Sequence, residues 1–311
     1  MFCHAFPDLQ WLKSQAESRF SNQIAMNGEV LHHTGWPTVV LNVKAEDVYR
    51  DNIPGPFSLF TTLAGDSVVE VNGRRTSVPQ EYFFLTNAGQ RYTLEIEKRK
   101  PAETFNIHFG EKWAEGVFAS LVNDTDTLLD LTDKGDALSV HFYARLYAKD
   151  EMITSILTSI KETRNDGRLR REELLYQLLV HLLRLNKMVR ESSLNIPVVK
   201  SSSREEILKR LFLATDYIYA NYSTDVSLDE LARVSCLSKF HFLRLFKLMF
   251  RQTPHQFVSA IRIEKAKRIL QTGRLDVKTV ASQTGFDNAS SFSRMFRNQT
   301  GVSPNQYRQA C

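Results

Sequence analysis

The chain has 311 residues, 42% of them hydrophobic and 24% charged, which is ordinary for a globular protein with room for two or three separate cores. The net charge of +5 is unevenly spread: residues 205–311 hold 16 Lys/Arg against 9 Asp/Glu, and the preceding residues hold 24 against 26. The three cysteines, Cys3, Cys236 and Cys311, are scattered and form no CxxC pair, which excludes a disulfide framework and a cysteine zinc site and suits a reducing compartment.

Residues 8–20, from Asp8 through Trp11, Leu12 and Phe20, have the pattern of a short capped amphipathic helix. From about 36 to 110 the apolar period becomes two. Val39, Leu41 and Val43 alternate, and Phe57–Thr61, Tyr82–Leu85, Tyr92–Ile96 and Phe105–Phe109 continue the series. Val69-Glu-Val71-Asn72-Gly73 is a hairpin signal, because Asn-Gly tolerates positive φ at both central turn positions. Many short strands with Gly, Pro and Asn between them predict an antiparallel β-barrel or double-sheet jelly roll.

Helical periodicity is expected around 111–122 and again from 137. Residues 151–163 put Ile153, Ile156, Leu157 and Ile160 on one stripe, and 170–190 do the same with Leu175, Leu178, Leu182, Leu185 and Val189. Asn165-Asp-Gly167 separates the two as an antiparallel pair. The stripe suits packing on the barrel, and its width makes Leu175, Leu178, Leu182, Leu185 and Val189 the candidate homodimer face. The Ser-rich stretch 191–204 reads as a linker. The domain reading is therefore 1–190, with strands at about 36–110 and helices at about 137–190, then the linker, then an all-α domain over 205–311. The fold class is α+β.

The last domain says nearly the same thing twice. Ala232 maps onto Ala281 at an offset of 49, and Arg244, Phe246 and Pro254 map onto Arg294, Phe296 and Pro304 at an offset of 50. Each copy reads as helix, turn, helix. Ser227-x-x-Glu230 is a capping box, Leu228, Leu231 and Ala232 face inward, and Cys236-Leu237 makes the turn. Ser238 then caps a helix over 239–250. Phe242, Leu245 and Phe246 belong to its core face, while Lys239, Phe240, Leu243, Arg244 and Lys247 form the face suited to a DNA major groove. In the second copy Gly285 takes the turn, Asp287 or Asn288 caps, and Phe292, Met295 and Phe296 point inward. Ala289, Ser290, Ser293, Arg294 and Arg297 point outward. Arg suits bidentate contact with guanine, Ser suits phosphate, and Ala suits a thymine methyl. Arg244 reads as a DNA contact; Arg294 reads equally as a DNA contact or an ion pair inside the domain. Thr253-Pro254 and Ser303-Pro304 each start a further helix. The one after Pro254, stopped by Gly273, joins the two units.

Gly285-Phe286-x-x-x-Ser-Ser-Phe292-Ser-Arg294-x-Phe296-Arg297-x-x-x-Gly301-Val-Ser303-Pro304-x-x-Tyr307-Arg308 resembles the C-terminal signature of the AraC/XylS family of bacterial transcription regulators. Ser238-x-x-x-Phe242-x-Arg244-Leu-Phe246-Lys247 is similar to the family's first recognition helix. The resemblance covers about 220–309. It implies double-stranded DNA as partner and transcription activation through RNA polymerase contact. It also implies base-reading places at Phe240, Leu243 and Arg244, and at Ala289, Ser290, Ser293 and Arg294. The chain departs from the family in having Gln252-Thr253 where a glycine usually follows the first recognition helix.

The period-two half is similar to the cupin-like regulatory domain that many members carry. His32 and His33 are adjacent and so face opposite sides of a strand, and His108 has no His-x-His partner. No metal, cofactor or catalytic group is read from this spacing. Phe57, Phe60, Tyr92, His108 and Phe109 are the candidate lining of a small-molecule effector pocket. The chain opens on no charged-then-apolar leader and has no apolar run of spanning length, so a cytoplasmic, membrane-free regulator is expected. The alternatives are a cupin-type metal-dependent enzyme with a helical appendage and a non-specific nucleic-acid binder.

Overall fold

The computed structural model describes residues 2–8, 22–26, 29–33, 38–110, 113–118, 140–163, 167–197, 201–273 and 275–310. The helix expected over 8–20 lies outside them from residue 9 onward. The chain divides into two compact units, Met1–Met188 and Val189–Cys311.

The first unit is built on twelve described strands: β1 (Phe2–Cys3), β2 (Asn22–Met26), β3 (Glu29–His33), β4 (Val39–Ala45), β5 (Val48–Pro54), β6 (Ser58–Ala64), β7 (Val68–Val71), β8 (Arg74–Ser77), β9 (Tyr82–Thr86), β10 (Arg91–Ile96), β11 (Ala102–His108) and β12 (Leu146–Ala148). They form a six-stranded sheet ordered β1-β4-β11-β6-β9-β12, a four-stranded sheet ordered β5-β10-β7-β8, and the β2–β3 hairpin. All pairings are antiparallel except β1 on β4. Asn72 and Gly73, at φ 53° and 73°, make the two-residue turn between β7 and β8 that their side chains predict. The Phe60 ring on the larger sheet meets the Tyr92 ring on the smaller at 4.8 Å, so the two sheets face each other as a sandwich.

The central strands of the larger sheet are buried on both faces. Leu59, Phe83, Leu85, Phe105 and Ile107 point away from the sandwich interior. They form one core with Ile153, Ile156, Leu157 and Ile160 of helix α1 (Glu151–Glu162) and with Leu174, Leu175, Leu178, Leu179, Leu182 and Leu183 of helix α2 (Arg168–Ser193). Leu185 packs partly on the same core, and Val189 is half-buried. Of the stripe expected to meet a second subunit, Leu175, Leu178 and Leu182 are thus packed in the protein's own core, while Leu185 and Val189 are only partly buried. The exposed apolar residues of α2 are instead Leu169, Tyr176 and Met188. Residues 113–118 are helical, but 140–149 are not: they form coil and β12, where helix was expected from 137. Asp150, whose side chain accepts from the Ile153 N–H at 2.8 Å, sets the true start of α1.

The linker expected over 191–204 includes two helix ends. Helix α2 runs to Ser193, and helix α3 (Ser201–Asn221) begins inside the Ser-rich stretch. Six helices follow: α4 (Leu228–Val234), α5 (Lys239–Phe250), α6 (Pro254–Gln271), α7 (Val277–Gln283), α8 (Ala289–Thr300) and α9 (Pro304–Ala310). Among the described residues, no helix is long and apolar enough to cross a membrane.

Candidate nucleic-acid interface

Each helix–turn–helix is started by a side-chain cap. Ser227 and Glu230 form a reciprocal capping box on α4, and Asp276 caps α7. Ser238 caps α5 and Asn288, of the two candidates, caps α8. Thr253 with Gln256 and Ser303 with Gln306 repeat the capping box at α6 and α9.

The turns are duplicates atom for atom. The Leu237 N–H donates to the Ala232 carbonyl at 3.0 Å, and the Phe286 N–H to the Ala281 carbonyl at 2.9 Å. Buried Ser235 donates its hydroxyl to the Leu231 carbonyl at 2.7 Å, as Thr284 does to Val280 at 2.8 Å. The residue between is left-handed in both: Cys236 at φ 51° and Gly285 at φ 82°. Cys236 does not pack into the domain, as a half-apolar side chain there would suggest; it is exposed. Leu228, expected inside, also reaches solvent. After the recognition helices, Arg251 at φ 58° takes the left-handed place that Gly301 fills at φ 81°. That is how the first unit does without its glycine; the Arg251 side chain donates to Asn195 Oδ1 at 2.8 Å.

Helix α5 buries Phe242, Leu245, Phe246 and Met249 and leaves Lys239, Phe240, Leu243, Arg244 and Lys247 exposed. Phe240 is 79% exposed, an unusual place for a phenyl ring unless something covers it. Lys239 forms an ion pair with Asp229 of α4, so its ammonium is already engaged. Helix α8 buries Phe292 and Phe296 against a core of Ile263, Ala266, Leu270, Val280 and Ala281. Ser290, Arg294 and Arg297 are exposed and Ser293 is half-exposed. Ala289, expected to face outward, packs partly against that core. Among the described residues, Arg244, Lys247, Arg294 and Arg297 have no acidic partner, so the intradomain ion pair weighed for Arg294 does not form. Each unit therefore presents a helix with a buried aromatic face and an exposed cationic one.

The candidate effector residues separate into two places. Phe57 and Phe109 stack at 5.2 Å in the core between sheet and helices, outside the sandwich. Phe60, Tyr92 and His108 lie inside it, with His108 stacked on Tyr92 at 6.1 Å. The register puts His108 beside Ser58 and Ser58 beside Thr86, a buried polar row across three strands that aromatic spacing alone did not reveal. Ser58 Oγ lies 2.8 Å from the Pro56 carbonyl and 2.9 Å from His108 Nδ1. A carbonyl only accepts, so the Ser58 proton goes there and Nδ1–H of His108 donates to Ser58. Burial drives the His108 pKa down to about 4, leaving a neutral ring. Asn106 Oδ1 accepts from the Thr61 N–H at 3.3 Å, while its buried Nδ2 and the Thr86 hydroxyl have no partner among the described residues.

Residues 231–310 match the family described as a helix-turn-helix domain, and residues 44–179 match the AraC-like ligand binding domain. The chain is 28% identical over 137 residues to the raffinose operon transcriptional regulatory protein RafR of Pediococcus pentosaceus, covering 44% of this chain and 46% of that one. It is 35% identical over 97 residues to the probable transcriptional regulator LumQ of Photobacterium leiognathi, covering 31% and 39%. Both matches span less than half of the relative's length. Among solved structures, the C-terminal domain of AraT, a response regulator from Geobacillus stearothermophilus, is 30% identical with a TM-score of 0.32, covering 33% of this chain and 85% of that one. The chain thus carries two AraC-type domains, a ligand binding domain over residues 44–179 and a helix-turn-helix domain over residues 231–310.

Proposed function

We propose that the protein is a sequence-specific DNA-binding transcription regulator that reads one duplex with α5 and α8. The observation that carries this reading is the duplicated recognition helix, exposing Arg244 and Lys247 in one copy and Arg294 and Arg297 in the other, none of them paired with a carboxylate among the described residues. Phosphate contact with such groups supplies affinity, and side chains reaching base edges supply specificity. The first unit, with Phe240, Leu243 and Arg244, carries most of the base reading. The second, with Ser290, Ser293, Arg294 and Arg297, reads fewer bases and mainly holds the backbone. Activation through RNA polymerase and assembly as a homodimer follow from the family resemblance and belong to the same proposal. The sandwich interior, with neutral His108 and the unpartnered Asn106 and Thr86 groups, suits an uncharged, hydrogen-bonding effector.

The test is affinity at fixed salt for a duplex enriched from a random library, against a scrambled duplex. A ratio on the order of 10³ or more is expected for a sequence reader, and a ratio near one identifies a non-specific binder. Arg244→Ala should weaken the enriched duplex by about 1–3 kcal/mol. Arg294→Ala should weaken it less; the reverse order would exchange the roles of the two units.

A further inference from the structure

Helix α6 joins the two reading units, but a helix alone does not fix their relative pose. A connecting helix can in general hinge at either of its ends. A second connection closes that freedom. Arg262, in the middle of α6, donates from Nε to the Tyr222 carbonyl and from an Nη nitrogen to the Thr224 carbonyl, each at 2.7 Å. Both carbonyls belong to the segment that leads from α3 into the Ser227 cap of the first unit. The same guanidinium sits 5.7 Å from the centre of the Phe286 ring, in the turn of the second unit. Carboxylates from both sides, Asp225 before α4 and Asp287 after the second turn, attract its charge. Next to Phe286, the backbone of Gly285 approaches Ser223 so closely that a Cβ there would stand 2.8 Å from the Ser223 carbonyl oxygen. One turn along α6, the Lys265 ammonium lies 5.2 Å from the Tyr222 ring centre.

We propose that Arg262 is a positioning residue: with the Gly285–Ser223 contact it clasps the two helix–turn–helix units into one body and thereby sets the spacing of the two DNA segments the protein accepts. The inference rests on the DNA-reading proposal above. Its chemistry depends on the guanidinium. A planar fork satisfies two carbonyls in fixed directions while its face lies on an aromatic ring, and an ammonium does not reproduce that combination. Inserting one base pair between the two segments displaces the second by about 3.4 Å and turns it by roughly 35° around the duplex axis. A clasped reader cannot follow that change; a hinged one can.

The experiment measures affinity of the full-length protein for its enriched duplex and for the same duplex with one base pair inserted between the two segments read. For the wild type, insertion should weaken binding by about tenfold or more, the scale of one misplaced base contact. In Arg262→Ala and Arg262→Lys the penalty should fall to below about threefold on the same scale, chiefly because the unspaced duplex binds less well. Arg244→Ala, a contact variant in the first helix–turn–helix, should lower both affinities and leave the penalty intact. Arg262→Lys keeps the charge and aliphatic stem, so it reports even where the alanine variant unfolds. An unchanged insertion penalty in a folded Arg262→Lys protein overturns the proposal. A wild type that enriches no duplex at all overturns the DNA reading on which it stands, a result distinct from the first.

Discussion

Cys236 and Gly285 occupy the same place in the two turns, and exchanging side chains there should act in opposite directions. Cys236 holds φ 51° with an exposed thiol, so no burial offsets the left-handed strain. That strain is roughly 1–2 kcal/mol for an L-residue, and glycine's extra freedom when unfolded returns roughly 0.4–1 kcal/mol. Cys236→Gly should therefore stabilise the C-terminal unit by about 0.5–1 kcal/mol, a rise of roughly 2–5 °C in its melting temperature. Gly285→Ala carries the same strain with the sign reversed. It also places a methyl 2.8 Å from a backbone oxygen that no rotamer change can move. The two together should cost about 2–3 kcal/mol. Urea and thermal unfolding followed by far-UV circular dichroism of the full chain would measure both. A Cys236→Gly protein that is no more stable than wild type would refute the strain argument. A Gly285→Ala protein within about 0.5 kcal/mol of wild type would refute the close approach at Ser223.

His108 is neutral in the fold with a pKa near 4, against an ordinary value of 6.5. Its contribution is therefore complete above pH 6.5 and is lost as pH falls toward 4, by at most about 3 kcal/mol. His108→Gln should flatten the fall in urea midpoint between pH 6.5 and 4.5; an identical slope in the variant would place the titration elsewhere. Leu178, fully buried between α2 and the sheet, should cost about 2–5 kcal/mol when changed to Ala, because it fills the protein's own core. Loss of a dimer without loss of stability in that variant would instead place Leu178 at an interface between subunits.

Much of the second unit was legible because its signals are local. Caps at Ser227, Ser238, Thr253 and Ser303 and the apolar spacing within each recognition helix depend on neighbours within a turn or two, and the 49- and 50-residue offsets repeat those local signals. What was not legible depends on partners distant in sequence. Helix α2 has apolar residues around more than half its circumference, and pattern alone did not say which side the sheet would take. Strand β12 lies in a stretch of three residues whose identity as strand comes only from pairing with β9. The inward row of His108, Ser58 and Thr86 comes from the register of three strands, so Phe57 and Phe109 were placed with it when they belong to the opposite face. Nothing in the local pattern around Arg262 announces its carbonyl partners, which are about forty positions away, at Tyr222 and Thr224. The left-handed Arg251 shows the same limit, since nothing in its residue type announces the conformation that Gly301 does.

Hydroxyl-radical footprinting of the full-length protein on its enriched duplex bears most directly on two groove-reading helices held in one chain. The account predicts two protected segments on one face of the duplex, centred about one helical turn apart. It also predicts that Arg244→Ala weakens protection in one segment and Arg294→Ala in the other. A single protected segment, or even protection with no preferred sequence, would contradict it.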